Sequence, residues 1–450
     1  MLDDGDSLVS GNAPCSCVDT FICAQKNMLK KIIMSWYLMV RIAKPLLIVS
    51  LMASYASACE PSAREPSARE LWLRHTIDNS SQGADGVRLA DVNQDGLPDL
   101  VTPWEEGGMV RVYIHPGPKR AKQPWPHVTI GKVASPEDAV FVDLDADGAM
   151  DVVSSCEGAI KTMFVHWAPR SPENYLKEAM WRTRPIPATE GEQAWMFALP
   201  QDMDGQHGVD LVVSSKGPGA GVGWLEAPQD ARDLRRWKYH RLIDAGWIMS
   251  LIDADINCDG FGDILLSDRR GVARGIKWLA HPGRVPTSTG SARAMHPIGG
   301  GEHEVMFIDY ADVNDDGRKD IVAATHQREI LVLQSDEKNA WHTITLRAPF
   351  QARKGKSVRV GDIDLDGVVD LVHSTEPNPQ PRGPGITWLQ GPLTCGNQPA
   401  VHPISDLEGS KFDLLQLIDI DRDGDLDVLT CEERDNLGVI WYENPVRSAQ

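Results

Sequence analysis

The chain has 450 residues, 42% of them hydrophobic, which is ample for a large core or a multi-unit fold and argues against a disordered chain. Its formal net charge of -19 argues against nucleic acid as a partner, because phosphate binding needs clustered Lys and Arg. So acidic a surface repels itself, and bound cations would relieve it.

In chain order, Lys30, Lys31, Arg41 and Lys44 precede an apolar run from Pro45 to Ala58. The run is shorter than the roughly 20 residues of a membrane span, so residues 1–58 read as an N-terminal extension with a secretory signal. Ala56-Ser57-Ala58 offers the small residues a signal peptidase needs, and Cys59 after it resembles the lipid-acceptor Cys of a bacterial lipoprotein. The chain is therefore expected to be secreted, periplasmic, or anchored at the outer surface by a lipid on Cys59. The acidic start, Met1-Leu2-Asp3-Asp4, is a poor signal n-region and points to Met28, Met34 or Met39 as the translation start. Residues 59–70 duplicate Glu60-Pro-Ser-Ala-Arg64 as Glu65-Pro-Ser-Ala-Arg69, a polar flexible linker. Of the cysteines beyond it, Cys395 with Cys431 is the pair to expect if one forms.

From residue 71 one pattern recurs. Its clearest copy is Asp362-Ile-Asp-Leu-Asp-Gly-Val-Val-Asp370, preceded by the alternating Val358 and Val360 and followed by Leu371 and Val372. Oxygens at positions 1, 3, 5 and 9 around a Gly at position 6 suit Ca2+, which takes about six to eight oxygen ligands. An EF-hand would end on Glu at position 12 between helices, whereas these flanks alternate as strands do. Five more copies are complete: Asp91, Asn93, Asp95 and Asp99; Asp143, Asp145, Asp147 and Asp151; Asp255, Asn257, Asp259 and Asp263; Asp312, Asn314, Asp316 and Asp320; Asp419, Asp421, Asp423 and Asp427. Between Asp151 and Asp255 a degenerate seventh, counted as Pro200, Asp202, Asp204-Gly205 and a late Asp210, lacks the first ligand and carries two extra residues.

Each copy continues with an apolar run, a polar turn, a Gly-led strand ending in Trp, as in Gly221-Val-Gly-Trp224, and a fourth strand such as Trp237-Lys-Tyr-His240. Four short strands repeated seven times predict an all-β, seven-bladed β-propeller over residues 71–445, with each Asp loop between the first and second strands. The last copy stops after its third strand, and the orphan strand Leu71-Trp72-Leu-Arg-His75-Thr-Ile77 is expected to complete that blade. The run Val358-Arg-Val-Gly-Asp-Ile-Asp-Leu-Asp-Gly-Val-Val-Asp-Leu-Val372 resembles the FG-GAP or VCBS repeats of integrin α-subunit propellers and many secreted bacterial proteins. That resemblance implies Ca2+ as the cofactor and a role in adhesion, carbohydrate binding or, in some enzymes, a scaffold for lyase or dehydratase chemistry.

Function is expected on the face opposite the Asp loops. Six residues beyond each last loop Asp stand Glu105, Glu157, Lys216, Arg269, His326, Glu376 and Glu433, all polar or charged and all at equivalent blade positions. The loops from fourth to first strand add Asp85, Glu137, Asp138, Gln193, Glu302, His303, Glu304, Lys356 and Lys411. Trp104, Trp195 and Trp247 fall in loops on the same face, where aromatic platforms beside Glu157, His303 and Glu376 would suit a sugar ring. Ordinary packing under loops explains the same Trp residues as well. His75, His240, His296, His342 and His402 share a His-x-Ile or His-x-Leu pattern or its strand position and read as structural.

Two functions fit. The first is a calcium-binding, monomeric propeller that binds glycans or a cell-surface protein. The alternative is a carbohydrate lyase or dehydratase acting by proton abstraction, with His326 as base and Arg269 and Lys216 stabilising the developing charge.

Overall fold

The computed structural model describes residues 71–281, 294–338, 340–349, 354–376, 383–393 and 398–448. The secretion signal, Cys59 and the duplicated linker lie outside them, as does Cys395; Cys431 is a free thiol buried in the last blade, where it accepts a hydrogen bond from the Gly86 N–H at 2.9 Å. Among the described residues no helix is long and apolar enough to cross a membrane.

The strands form seven antiparallel sheets of four strands each, the blades of a propeller. Blades 1 to 6 span residues 88–132, 136–185, 194–244, 248–299, 305–347 and 354–403, each with its strands in sequence order. Blade 7 takes its first three strands from residues 416–443 and its outer strand from Leu73–Asp78, which pairs antiparallel with Gly438–Glu443. An N-terminal strand thus covers the outer edge of the last sheet that would otherwise be left unpaired.

The second strands are covered on both faces, and Asp99–Trp104, Asp151–Cys156, Asp263–Asp268 and Asp427–Glu432 are buried at every residue. That is why they read as unbroken apolar runs after the Asp. The core lies between neighbouring blades: Val101, Val110 and Val112 of blade 1 pack with Ala139, Phe141 and Val152 of blade 2. Leu429 and Trp441 of blade 7 pack with Leu100 and Tyr113 of blade 1. Each such side chain contributes about 1.5–3 kcal/mol of burial.

A cross-strand pair explains the recurring Trp and His. His75 faces Trp441, His240 faces Trp224, His296 faces Trp278 and His402 faces Trp388 in the strand registers. Their ring centroids lie 4.3–4.8 Å apart. His342 departs from the set, sitting opposite Gln334 with its Nε2 3.1 Å from Asp336.

The degenerate Asp loop has no insertion. In six blades the residue before position 1 pairs with the position-9 Asp, as Ala90 does with Asp99 and Val142 with Asp151. In blade 3 that residue is Gln201, paired with Asp210, so the loop begins at Asp202 and Pro200 belongs to the strand Ala194–Gln201. Asp202, Asp204, Gln206 and Asp210 then occupy positions 1, 3, 5 and 9. Counting from Asp-Gly misplaced the frame because Gly205 sits at position 4, which is left-handed in every copy: φ is 74° at Gly205 and 56–62° at Gln94, Ala146, Cys258, Asp315, Leu365 and Arg422. His207 takes position 6 at φ 62°, where the other copies have Gly.

Candidate functional site

Two sets of polar groups stand out, the Asp loops on one side of the blades and the charged residues ending the second strands on the other. In the loops the position-1 carboxylate accepts backbone N–H groups from positions 5 and 6, as Asp91 does from Asp95 and Gly96 at 3.0 and 2.8 Å. The position-9 carboxylate works differently. Asp99 accepts the Val92 N–H on one oxygen and the His115 N–H on the other, at 3.0 and 2.8 Å, tying the loop to the end of the third strand. Asp210, Asp263, Asp370 and Asp427 repeat this double acceptance. Position 9 is therefore a buried staple as well as a possible ligand.

The loops fit a hard cation. Carboxylate oxygens of Asp143, Asp145 and Asp151 lie within 4.8 Å of one another, and so do those of Asp202, Asp204 and Asp210. Oδ1 of Asp421 is buried without a hydrogen-bond partner. Burial, reinforced by neighbouring loop carboxylates, pushes Asp99 up to about 6, Asp151 and Asp210 to about 7 and Asp427 to about 8.

On the opposite face the seven second-strand ends do converge, through contacts with one another and with the loops from fourth to first strand. Lys216 Nζ lies 2.6 Å from Glu137 and also pairs with Glu157. Arg269 Nε binds Glu304 at 2.9 Å. His326 Nε2 lies 2.6 Å from Glu376 Oε1 and 3.2 Å from Arg269 Nη2, and its Nδ1 is 3.4 Å from Glu304. Lys356 Nζ binds Asp413 at 3.0 Å, and Lys411 pairs with both Asp413 and Glu433. Burial raises Glu376, but the His326 hydrogen bond and the Lys356, His326 and Arg269 charges outweigh it and hold the carboxyl at about 2. Burial with too few counter-charges lifts Glu137 to about 7 and Asp85 well above the carboxylate range.

The strands nearest the axis enclose a cavity of about 20 Å³, walled by Asp85, Glu137, Lys356 and Asp413 on one side and Met196, Phe197, Met249 and Phe307 among the rest. That is space for about one water molecule. The three loop Trp residues do not form platforms there. Trp104 and Trp195 are 0% and 1% exposed, inside hydrophobic clusters, with indole N–H groups donating to Tyr113 Oη and the Thr189 carbonyl at 3.0 Å. Both occupy strands, Trp104 ending Asp99–Trp104 and Trp195 within Ala194–Gln201, so strand packing claims them. Trp247 is half-buried, with Lys216, Arg269 and Arg270 all within 4.6–4.9 Å of its ring. His303 is drawn to Glu329 at 2.8 Å. Asp413, which links Lys356 to Lys411, was missed by counting along the strands, although Lys411-Phe-Asp413 places it beside a noted Lys.

The model of the FG-GAP-like repeat family matches residues 91–154 and 312–373, two spans that each begin on a loop Asp. FG-GAP-like repeats thus occur at two places in this seven-bladed propeller. No curated protein matches it. Similar solved structures include BBS1N in complex with ARL6DN, soaked with mercury or with lead, at 10% and 11% identity. Each covers 84% of this FG-GAP-like chain and 98% of its own, with a TM-score of 0.47.

Proposed function

We propose that this FG-GAP-like propeller is a secreted or lipid-anchored binding module, held rigid by Ca2+ in its Asp loops and directed at glycans or cell-surface partners. The observation that carries binding over catalysis is the state of His326. Proton abstraction needs an imidazole nitrogen free to meet substrate. Here Nε2 faces Glu376 and Nδ1 faces Glu304, while Arg269 and Lys216 are matched to carboxylates of their own. The basic groups of the ring are thus paired across neighbouring blades, and the cavity walled by Asp85, Glu137, Lys356 and Asp413 is about 20 Å³.

Calcium is supported by the orphaned oxygen of Asp421 and by the converging carboxylates. Positions 1, 3 and 5 would supply ligands in six loops, and Asp202 and Asp204 with the Gln206 amide in the third. The ion would neutralise carboxylates that otherwise repel one another. Millimolar extracellular Ca2+ matches the weaker range of such sites, which accords with secretion. The test is retention of the full chain on immobilised glycans and on whole cells, with Ca2+ and with EDTA. Retention without turnover of acidic polysaccharides is the expected result. New conjugated double bonds in the substrate, lost in His326→Ala, would replace this reading with the lyase.

A further inference from the structure

Most fourth strands of the propeller open on or just after a Trp, and in blades 1, 2 and 3 that residue is buried in its own blade: Trp125 is 2%, Trp181 5% and Trp237 3% exposed. Each indole N–H donates at 2.8–2.9 Å to a carbonyl of the connector that precedes it, from Ala121, Tyr175 and Ala231 respectively. Those connectors span residues 114–126, 168–181 and 227–237, long enough to fold back over the ring. In blade 5 the connector is residues 336–340, and Trp341 is left half-buried. Trp278 of blade 4 is half-buried too, as is its equivalent Trp388 in blade 6, whereas Trp224 and Trp441 are 7% and 0% exposed.

Trp278, Trp341 and the half-buried Tyr310 line a cleft of about 530 Å³ between blades 4 and 5, on the Asp-loop side, together with Asp253, Lys319 and Ser335, with Arg318 and with the loop residues Asp255 and Asn257. Ligand sites typically enclose about 300–1,000 Å³, with aromatic walls and a few polar groups. The axial cavity is far below that range and this cleft is within it. Its chemistry is that of a sugar site. A pyranose offers a C–H face to stack on an aromatic ring and a rim of hydroxyls that need both acceptors and donors. His296 already covers one face of Trp278, parallel within 18° at 4.3 Å, which leaves Trp341 and Tyr310 to carry the stacking. Gln201 fixes the Asp253 carboxylate at 3.0 Å, and the exposed Lys319 ammonium stands 5.4 Å from the Tyr310 ring centre. A purely apolar ligand would leave Asp253 and Lys319 without use.

We infer that the cleft between blades 4 and 5 is the carbohydrate site, taking a short run of pyranose units stacked on Trp341 and Tyr310 with hydroxyls on Asp253, Lys319 and Ser335. This rests on the glycan-binding reading above but moves recognition from the charged face to the Asp-loop side. The test is affinity electrophoresis of the full chain, with Ca2+, through gels holding galactomannan, xyloglucan or polygalacturonate. At least one polysaccharide should retard the wild type. Trp341→Ala should weaken that retardation at least tenfold, Lys319→Ala should weaken it measurably, and Lys132→Ala, at the exposed end of the blade 1 fourth strand, should leave it unchanged. Lys319 is exposed, so its variant reports even if Trp341→Ala fails to fold. Retardation that survives in both cleft variants would overturn this placement and leave glycan binding standing. A wild type that no polysaccharide retards would overturn both.

Discussion

Within the Asp loop, position 9 and positions 3 and 5 hold the same residue type in different roles, and substitution separates them. Asp370 is fully buried and accepts the Ile363 and Gly391 N–H groups, so Asp370→Ala strands two donors at about 1–3 kcal/mol each. The loss in melting temperature should be similar with Ca2+ and with EDTA. Asp364→Ala and Asp366→Ala, which lose the Gln390 and Val368 hydrogen bonds in either buffer, should lower it more in Ca2+ than in EDTA. Thermal melts of the three variants in both buffers distinguish the staple from the ligands. Glu376 gives a pH signature. Its carboxyl is held at about 2 against an ordinary value of 4.5, so its contribution is present above about pH 4.5 and lost as pH falls towards 2. Wild type and Glu376→Gln should therefore differ by up to about 3 kcal/mol in urea melts at neutral pH and converge near pH 2. A constant difference across that window would remove the ion-pair account of the ring.

At the level of the element, the blade was legible because each of its strands has its own residue pattern. The buried second strand follows its Asp, and in four blades the third strand carries a Trp that the fourth meets with His. Stacking of this kind is worth about 0.5–1.5 kcal/mol, so His402→Ala should cost that much in a denaturant melt. The third loop was misread because two left-handed positions, 4 and 6, both accept Gly, and the sequence puts its Gly at the first of them. Strand pairing of Gln201 with Asp210 fixes the frame, and pairing is not written in the residues. With the frame corrected, Gln206→Asp restores the position-5 carboxylate found in the other six copies. It should add to the melting shift that Ca2+ produces. No added shift would mean that the third loop does not bind the ion.

For the whole molecule, blade count and the N-terminal strand in blade 7 followed from the repeat and its leftover ends, because each blade needs a fourth strand and only one was spare. Convergence of Lys216, Arg269 and His326 was also legible, since equivalent blade positions ring one axis. Their mutual neutralisation was not, because it depends on which side chains of neighbouring blades meet, as His326 meets Glu304 and Glu376. Exposure of Trp341 was hidden for a related reason: it depends on the length of the connector before it, which strand patterns do not weigh. Truncation through Asp78 should leave the Gly438–Glu443 strand with an open edge and give an aggregating chain, as light scattering would report.

If Ca2+ in the Asp loops holds the propeller together, calorimetry on the EDTA-stripped full chain will register it. Each site that binds only the folded chain adds about 2.7 kcal/mol at a Ca2+ concentration one hundred times its Kd. Titration should show six or seven sites, with a melting temperature that climbs as they fill. A flat titration, with identical melting in Ca2+ and EDTA, would contradict the account.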